Sequence, residues 1–184
     1  MIDPSSIWIN LFAFHFMNSI ASPLLNTIMG ALAESYLIVL PLVGIYLILK
    51  KDTNVYAFAL SFILLFAIGY GLKAAFMEAR PCSVPSLSWI NAPSCESGYS
   101  FPSDHAMVLT GLALFLLRYR KVLIAYLIWL VIILFGRVYL GQHYLTDVIA
   151  GVLMSLIIAY AIYSYKDSIY SIVRKYHLAI LTPR

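Results

Sequence analysis

Long apolar stretches separated by short polar segments make up most of this chain. Five of them come close to the roughly 20 residues that an α-helix needs to cross a bilayer. They are residues 23–49, 54–77, 103–117, 122–139 and 144–165. The second stretch cannot continue as helix past Pro81, because proline lacks the amide donor. The pattern therefore predicts an all-α polytopic membrane bundle with five spans, or six if the N-terminal segment also crosses.

The two ends of the chain have a different pattern. Residues 5–20 are apolar and aromatic but short, and residues 166–184 alternate apolar with basic side chains, so we expect both to lie along the membrane interface. The composition agrees with a membrane protein, since 62% of the residues are hydrophobic and 11% are charged, and the mean hydropathy is +0.90. No linker or repeat divides the chain, so we expect one domain over residues 1–184.

The basic residues predict an orientation for the bundle. With five spans, nine of the twelve Lys and Arg residues fall at one end, and lysine and arginine accumulate in cytoplasmic loops. These nine are Lys50, Lys51, Arg118, Arg120, Lys121, Lys166, Arg174, Lys175 and Arg184. The other three, Lys73, Arg80 and Arg137, map to the opposite end. We therefore expect a cell-membrane protein whose polar end faces the extracytoplasmic side, and no nucleic-acid partner, because the basic residues form no continuous stripe.

Ionisable residues beside membrane spans are functional candidates by default, because each needs a partner or a watery cleft. Lys73 and Arg80 are separated by seven positions, two turns of helix, so both project from one side. Such a pair can hold a phosphate, with arginine as a forked donor and lysine as a point charge. The alternative is that both side chains only extend to the membrane interface.

A second polar segment contains Ser103, Asp104 and His105. Pro-Ser before an apolar stretch predicts a helix N-cap at Ser103, and a helix N-terminus attracts anions through its free amides and its dipole. His105 then lies close to the same site, one turn into the helix. The alternative is a simple cap beside a hydrogen-bonded histidine.

The third polar segment combines Arg137, His143 and Asp147. The last two residues are four positions apart, so on a helix they share one face and the carboxylate can accept a proton from one imidazole nitrogen. The other nitrogen then keeps a lone pair for nucleophilic attack. A metal site is a competing interpretation, but the segments offer only two histidines and several cations that repel a metal, so we expect no metal.

Three further residues have open roles. Glu34 lies about one turn inside the outer boundary of the first span, where it contacts a lipid head group or serves as a buried partner for one of the cations. Cys82 and Cys95 share the long loop between the second and third spans. Sequence does not supply their distance, so pairing as a disulfide stays open.

The three segments together, Lys-x6-Arg-Pro, Pro-Ser-x-His and Arg-x5-His-x3-Asp, resemble the type 2 phosphatidic acid phosphatase superfamily, which includes the vanadium haloperoxidases. The matched framework extends over residues 73–147. By this resemblance His143 is the nucleophile, Asp147 orients it and His105 protonates the leaving oxygen. The resemblance also implies the residues that hold the phosphate, without a cofactor: Lys73, Arg80, Ser103, Arg137 and the backbone amide of Asp104.

The chain departs from the usual motifs at two positions, where Asp104 replaces glycine and Gly136 replaces serine. The form Ser-Phe-Pro-Ser-Asp-His-Ala resembles the branch that dephosphorylates undecaprenyl diphosphate, so the expected substrate is a membrane polyprenyl diphosphate. Phosphatidic acid and phosphatidylglycerol phosphate are alternative substrates for the same chemistry. A membrane transporter or scaffold, and a haloperoxidase, are alternatives of other classes.

Overall fold

The computed structural model describes residues 4–84, 87 and 95–181, with side chains described up to residue 176. The described residues form eight α-helices and no strand, so the predicted all-α class is confirmed. The helices are α1 (Trp8–Ser19), α2 (Pro23–Glu34), α3 (Tyr36–Leu49), α4 (Asn54–Phe76), α5 (Asp104–Ala113), α6 (Arg120–Tyr139), α7 (Leu145–Ser164) and α8 (Lys166–Leu181).

Four segments of the described chain are long and apolar enough to cross a membrane: Pro23–Leu49, Asn54–Ser83, Arg120–Tyr139 and Leu145–Ser164. The fifth predicted span is only a shorter apolar helix, Asp104–Leu116. Every residue of α5 from Ala106 to Ala113 is buried. This helix is surrounded by protein, so its length is not set by the thickness of the lipid layer. The six-span alternative fails, because α1 has 12 residues.

The first predicted span consists of two helices that meet at Ser35. The Ser35 hydroxyl donates to the carbonyl of Leu32 at 2.6 Å and accepts a hydrogen bond from Trp129 of α6 at 2.8 Å. The junction is therefore fixed to a neighbouring helix. It brings Glu34 and Tyr36 to the wall of a cavity beside α5.

Small residues let α5 and α7 approach closely. A Cβ atom added at Gly151 of α7 would lie 2.9 Å from Cβ of Ala106 and 3.0 Å from the carbonyl oxygen of Ser103. A Cβ atom at Gly111 of α5 would lie 2.7 Å from the Ser155 hydroxyl. Close backbone approach at small residues is the common packing mode of membrane helices. Here it joins the starts of α5 and α7, which carry two of the polar segments.

The end helices pack on opposite ends of the bundle. Helix α1 contacts α6 and α7, and its Asn10 donates to the hydroxyl of Thr146 at 2.9 Å, at the end that carries the polar segments. Helix α8 packs against α4 and α7. Near the other end, the Tyr119 hydroxyl donates to Asp52 at 2.8 Å, which ties two connections together.

Candidate active site

The three polar segments converge at one end of the bundle. Helix α4 contributes Lys73, α6 contributes Arg137, and the loops and the starts of α5 and α7 contribute the rest. Six of the side chains are buried: Lys73, Arg80, Ser103, Arg137, His143 and Asp147. Buried charges are tolerated only when they are paired and hydrogen-bonded, so the contacts of each side chain indicate its role.

The imidazole of His143 is held at both nitrogens. Nδ1 lies 2.8 Å from the carbonyl oxygen of Ser100, and Nε2 lies 3.3 Å from Nη1 of Arg80. A carbonyl only accepts and a guanidinium only donates, so Nδ1 carries the proton and Nε2 carries the lone pair. Burial lowers the pKa of His143 well below 6.5, and the positive charges of Arg137, Arg80 and Lys73 lower it further. The side chain is therefore a neutral imidazole with a lone pair at Nε2.

Instead of the expected direct hydrogen bond, His143 and Asp147 form a longer contact. His143 precedes α7, which begins at Leu145, so the two residues do not share a helical face. Their closest atoms, Nδ1 and Oδ2, are 3.7 Å apart, beyond hydrogen-bond range. Asp147 lies in the first turn of α7, and its Oδ2 accepts from the amide of Tyr144 at 2.8 Å and from the hydroxyl of Ser100. The hydrogen-bonded link between Asp147 and His143 therefore passes through Ser100.

Ser103 forms the predicted N-cap of α5. Its hydroxyl accepts a hydrogen bond from the amide of Ala106 at 3.4 Å, and the amide of Ser103 donates to the carbonyl of Asp147 at 3.3 Å.

Gly136, which stands where the family motif usually has serine, lies beside α2. The atoms nearest to a Cβ added at Gly136 all belong to Met29 of α2, so a side chain there would meet α2 first.

Lys73 is held by backbone carbonyls and by one carboxylate. Nζ donates to the carbonyls of Tyr99 and Ser100 at 2.8 and 3.3 Å, and it lies 3.5 Å from Oδ2 of Asp104. Gly69 of α4 leaves room for this carboxylate, since a Cβ there would be 3.1 Å from Oδ1 of Asp104. The acidic residue at the usual glycine position thus pairs with the lysine of the first segment.

Glu96, which the sequence analysis did not select, bridges the two arginines. Its Oε2 atom lies 2.6 Å from Nη2 of Arg137 and 3.3 Å from Nη2 of Arg80. Partial burial raises the pKa of Glu96, but the neighbouring Arg137 and Arg80 guanidiniums outweigh it, so the pKa falls below its ordinary value. Glu96 is therefore an ionised carboxylate between two cations.

A disulfide holds Glu96 near the arginines and answers the question that the sequence left open. Cys82 and Cys95 are bonded, with their Cα atoms 5.7 Å apart. Cys95 precedes Glu96, and Cys82 follows Arg80 by two positions. The cysteine spacing was the only sequence signal that could have pointed to Glu96.

Two further residues support the site. The carbonyl of Gln142 accepts from Nη1 of Arg80 at 2.9 Å, and its side-chain oxygen accepts from the amide of Glu96 at 3.0 Å. The carbonyl of Glu78 accepts from the amide of Ser100 at 2.7 Å. Neither residue belongs to a recognisable spacing pattern in the sequence.

His105 lies on a cavity of about 340 Å³ between α3, α4 and α5. Its ring packs edge-on against Tyr36 with the centroids 4.9 Å apart, and its buried Nε2 has no hydrogen-bond partner among the described residues. The remaining lining residues are Glu34, Leu40, Phe62, Phe66, Glu96, Asp104, Val108 and Leu109.

The structure contradicts one of the two roles expected for Glu34. Its side chain is exposed and forms no ion pair within the described part of the chain. The alternative of a buried partner for a cation is therefore wrong. Contact with a lipid head group stays a prediction for this residue.

Known proteins share this fold and sequence pattern. The chain is 30% identical over 118 residues to an undecaprenyl-diphosphatase of Sulfolobus acidocaldarius, covering 62% of this chain and 57% of that protein. It is 26% identical over 164 residues to a lipid A 4'-phosphatase of Porphyromonas gingivalis, covering 82% of this chain and 70% of the relative. The crystal structure of Aquifex aeolicus LpxE superposes with a TM-score of 0.75 at 24% identity, covering 88% of this chain and 98% of that chain.

The match to the Sulfolobus relative spans 57% of that protein's length. A family model described as the PAP2 superfamily matches residues 54–170, which include all three polar segments. The chain belongs to the PAP2 superfamily.

Proposed function

We propose that this chain is an integral membrane phosphatase that removes the terminal phosphate of a polyprenyl diphosphate through a phosphohistidine intermediate. One observation carries the proposal. His143 donates from Nδ1 to a backbone carbonyl and presents the lone pair of Nε2 beside Arg80. A neutral imidazole next to fixed cations is the arrangement that nucleophilic attack on an anionic phosphorus requires.

In the first step, Nε2 of His143 attacks the terminal phosphorus in line with the bridging oxygen. The N–P bond forms as the P–O bond to the lipid phosphate breaks, and protonated His105 gives its proton to the departing oxygen. Lys73, Arg80 and Arg137 neutralise the charge on the equatorial oxygens of the transferring group. Ser103 adds its hydroxyl as a donor at the N-terminus of α5, where anions are favoured.

In the second step, water attacks the phosphorus of the phosphohistidine. Neutral His105 takes a proton from the water, the N–P bond breaks, and His143 recovers its lone pair. The net products are lipid monophosphate and inorganic phosphate, with both histidines returned to their starting states. Asp147 and Ser100 keep the ring of His143 in one orientation over both steps.

A lipid substrate is supported by the wall of the cavity beside His105. Phe62 and Phe66 of α4 line it and are themselves 41% and 55% exposed on the outer face of the bundle. A hydrocarbon chain can therefore stay in the bilayer while its phosphate reaches the cations. The Ser-Phe-Pro-Ser-Asp-His-Ala segment and the undecaprenyl-diphosphatase relative support a polyprenyl diphosphate.

A second candidate substrate is a saccharolipid or glycerolipid phosphate. The lipid A 4'-phosphatase relative covers 82% of this chain, more than the Sulfolobus relative does. Phosphatidic acid and phosphatidylglycerol phosphate carry the same terminal phosphate on a different head group. All of these substrates use the same residues, and they differ in the contacts that the head group makes near Glu34 and His105.

We also propose that the site faces the extracytoplasmic side. Lys50 and Lys51, which follow α3, and Arg120 and Lys121, at the start of α6, lie at the end of the bundle away from the site. Lysine and arginine accumulate at cytoplasmic ends. Labelling of single cysteines introduced at residues 98 and 118 with an impermeant thiol reagent in intact cells would test this. The proposal expects labelling at residue 98 alone.

The reaction is tested with purified protein in detergent and EDTA. Polyprenyl diphosphate, lipid A, phosphatidic acid and phosphatidylglycerol phosphate are offered in parallel, and phosphate release is compared with that of His143→Ala. We expect fastest release from the polyprenyl diphosphate and an acid-labile phosphoprotein that His143→Ala does not form. Equal release by His143→Ala would contradict the reaction. Preference for another lipid would overturn only the substrate.

A further inference from the structure

Every cation assigned to the phosphate already contacts a carboxylate of the chain. Asp104 pairs with Lys73 at 3.5 Å, while Glu96 pairs with both arginines, at 2.6 Å from Arg137 and 3.3 Å from Arg80. Buried cations without partners are costly, so these carboxylates stabilise the fold. They also stand where an anionic substrate has to bind. The substrate phosphate and the carboxylates therefore compete for the same donors.

The two sides of this ion-pair cluster differ in freedom to move. The side chains of Arg137 and Arg80 are 2% and 6% exposed, whereas the side chain of Glu96 is 39% exposed. Arg80 is also tied to the carbonyl of Gln142 at 2.9 Å. The arginines are thus fixed by their surroundings, and the carboxylate can turn toward water without opening the core.

The backbone of Glu96 is anchored at two points. The preceding Cys95 is bonded to Cys82, and the amide of Glu96 donates to the side-chain oxygen of Gln142 at 3.0 Å. The carboxylate of Glu96 can therefore move away from the arginines only by rotation of the Glu96 side chain. Such a rotation is fast compared with the turnover of a typical enzyme, so it does not limit the reaction.

We propose that Glu96 is a displaceable counter-ion of the phosphate site. Its carboxylate neutralises Arg80 and Arg137 before substrate binds, leaves them when the substrate phosphate arrives, and returns to compete with inorganic phosphate after hydrolysis. This inference rests on the proposed phosphatase function and assigns a specificity-determining residue to that reaction. No covalent bond changes in the exchange, which swaps one oxyanion for another on the same two guanidiniums.

The exchange favours a particular class of ligand. A terminal phosphate group carries up to two negative charges and three terminal oxygens, whereas a carboxylate carries one charge and two oxygens. A terminal phosphate can therefore displace Glu96 and accept from both arginines. A phosphodiester has a single charge and two free oxygens, so it gains little over the carboxylate. Glu96 thereby selects lipids with a terminal phosphate over the phosphodiesters that surround the protein in the bilayer.

The test measures binding of inorganic phosphate to the detergent-solubilised full chain by titration calorimetry. The apparent affinity of a site falls by the fraction of time that it is blocked, so a carboxylate that blocks the arginines nine-tenths of the time weakens binding about tenfold. We expect Glu96→Gln, which keeps the shape and removes the charge, to bind phosphate about tenfold more tightly than the wild type. Glu96→Asp, whose shorter side chain retains the charge, should lie between them.

Asp167→Asn is the control, because it removes the same charge from an exposed carboxylate at the start of α8, where Asp167 pairs with Lys166. We expect it to change phosphate affinity by less than about twofold, since exposed charges are screened by water and salt. Equal gains in Asp167→Asn and Glu96→Gln would mean that only the net charge matters, and would overturn the inference.

Thermal unfolding with and without phosphate distinguishes displacement of Glu96 by phosphate from a general loss of stability in the variant. Without phosphate, Glu96→Gln should unfold at a lower temperature than the wild type, because two buried cations lose their partner. With phosphate it should gain more stability than the wild type gains, as tighter ligand binding requires. Wild-type and Glu96→Gln proteins that bind phosphate with equal affinity would overturn the counter-ion role and leave the phosphatase proposal standing. Absence of phosphate binding in every variant would overturn both.

Discussion

The carbonyl oxygen of Ser100 accepts a 2.8 Å hydrogen bond from Nδ1 of His143. The hydroxyl of the same serine donates to the carboxylate of Asp147. One residue, two positions before the Pro-Ser-x-His motif, therefore links the carboxylate to the imidazole and fixes which ring nitrogen keeps its lone pair. The carboxylate of Asp147 holds Ser100 in place, and the carbonyl of Ser100 orients the ring of His143.

Removing the Ser100 hydroxyl should weaken catalysis without abolishing it. Ser100→Ala keeps the carbonyl that holds His143 but loses the tie to Asp147, so we expect kcat to fall about tenfold to a hundredfold, the range for groups that orient a reacting side chain. His143→Ala should lose a factor of about 10⁴ or more, as expected for loss of a nucleophile. Phosphate release from polyprenyl diphosphate measures both.

Ser61→Ala provides the control for that substitution. Ser61 is also fully buried, but it lies in the interior of α4 away from the polar segments. We expect unchanged kcat in this variant. If kcat falls no further in Ser100→Ala than in Ser61→Ala, Ser100 does not help to orient His143.

His143 should remain neutral below the pH at which free histidine titrates. Burial, with the nearby arginines and lysine, holds its pKa well below 6.5. The unfolded chain takes up this proton at about pH 6.5 while the folded chain does not, so the stability contributed by the neutral form is present above that pH and is lost as the pH falls below it.

Nuclear magnetic resonance of ¹⁵N-histidine-labelled protein in detergent measures this directly. The signal missing from His143→Asn identifies the residue, and we expect it to report a proton on Nδ1 and none on Nε2 at pH 6.5. A doubly protonated ring at that pH would contradict the assignment of His143 as the nucleophile.

The apolar wall of the cavity should affect long lipids only. Phe66→Ala removes a ring that lines the cavity, and the loss of about 1.4 kcal/mol of apolar contact raises KM about tenfold. We expect this effect with a long polyprenyl diphosphate and not with a short, water-soluble prenyl diphosphate. Ile68→Ala, on the same helix but outside the cavity lining, is the control. Equal effects on both chain lengths would place the lipid elsewhere.

Gly151 should not accept a side chain. A methyl group there would lie 2.9 Å from Ala106 and 3.0 Å from the carbonyl of Ser103, so Gly151→Ala should destabilise the protein by about 1–3 kcal/mol. Activity should also fall, because the start of α5 carries Ser103 and His105. Thermal unfolding in detergent measures the first effect, and phosphate release measures the second.

Gly30→Ala is the matched substitution for this test. No atom lies within 4 Å of a Cβ added at Gly30 of α2, so this variant should be unchanged or slightly more stable. Similar melting temperatures for the two alanine variants would contradict the close packing of α5 on α7.

The membrane helices could be predicted because the signal for each one, the length of its apolar segment, lies within that segment. Hydrophobic length predicted the membrane helices, and the four segments that meet the length requirement lie where the pattern placed them. The length of α5 and the break at Ser35 were not predicted. Both depend on neighbours: α5 is enclosed by other helices, and Ser35 is fixed by Trp129 of α6.

The sequence predicted most of the residues that form the candidate site but not the contacts between them. The spacing of His143 and Asp147 suggested a direct hydrogen bond, but α7 begins only at Leu145 and Ser100 makes the hydrogen bonds to both residues. Glu96 belongs to no motif, and only its contacts with Arg80 and Arg137 identify it as a part of the site. Contacts between residues far apart in the chain leave no periodic signal in a single sequence.

The sequence by itself determined that this chain is a helical membrane protein of the PAP2 type, because hydrophobic length and three ordered motifs are local properties of the chain. Only the tertiary structure decided which groups hold the imidazole of His143 and which carboxylates neutralise the cations. Burial in a bundle requires each charge to find a partner, and the nearest partner depends on how the loops fold over the helix ends.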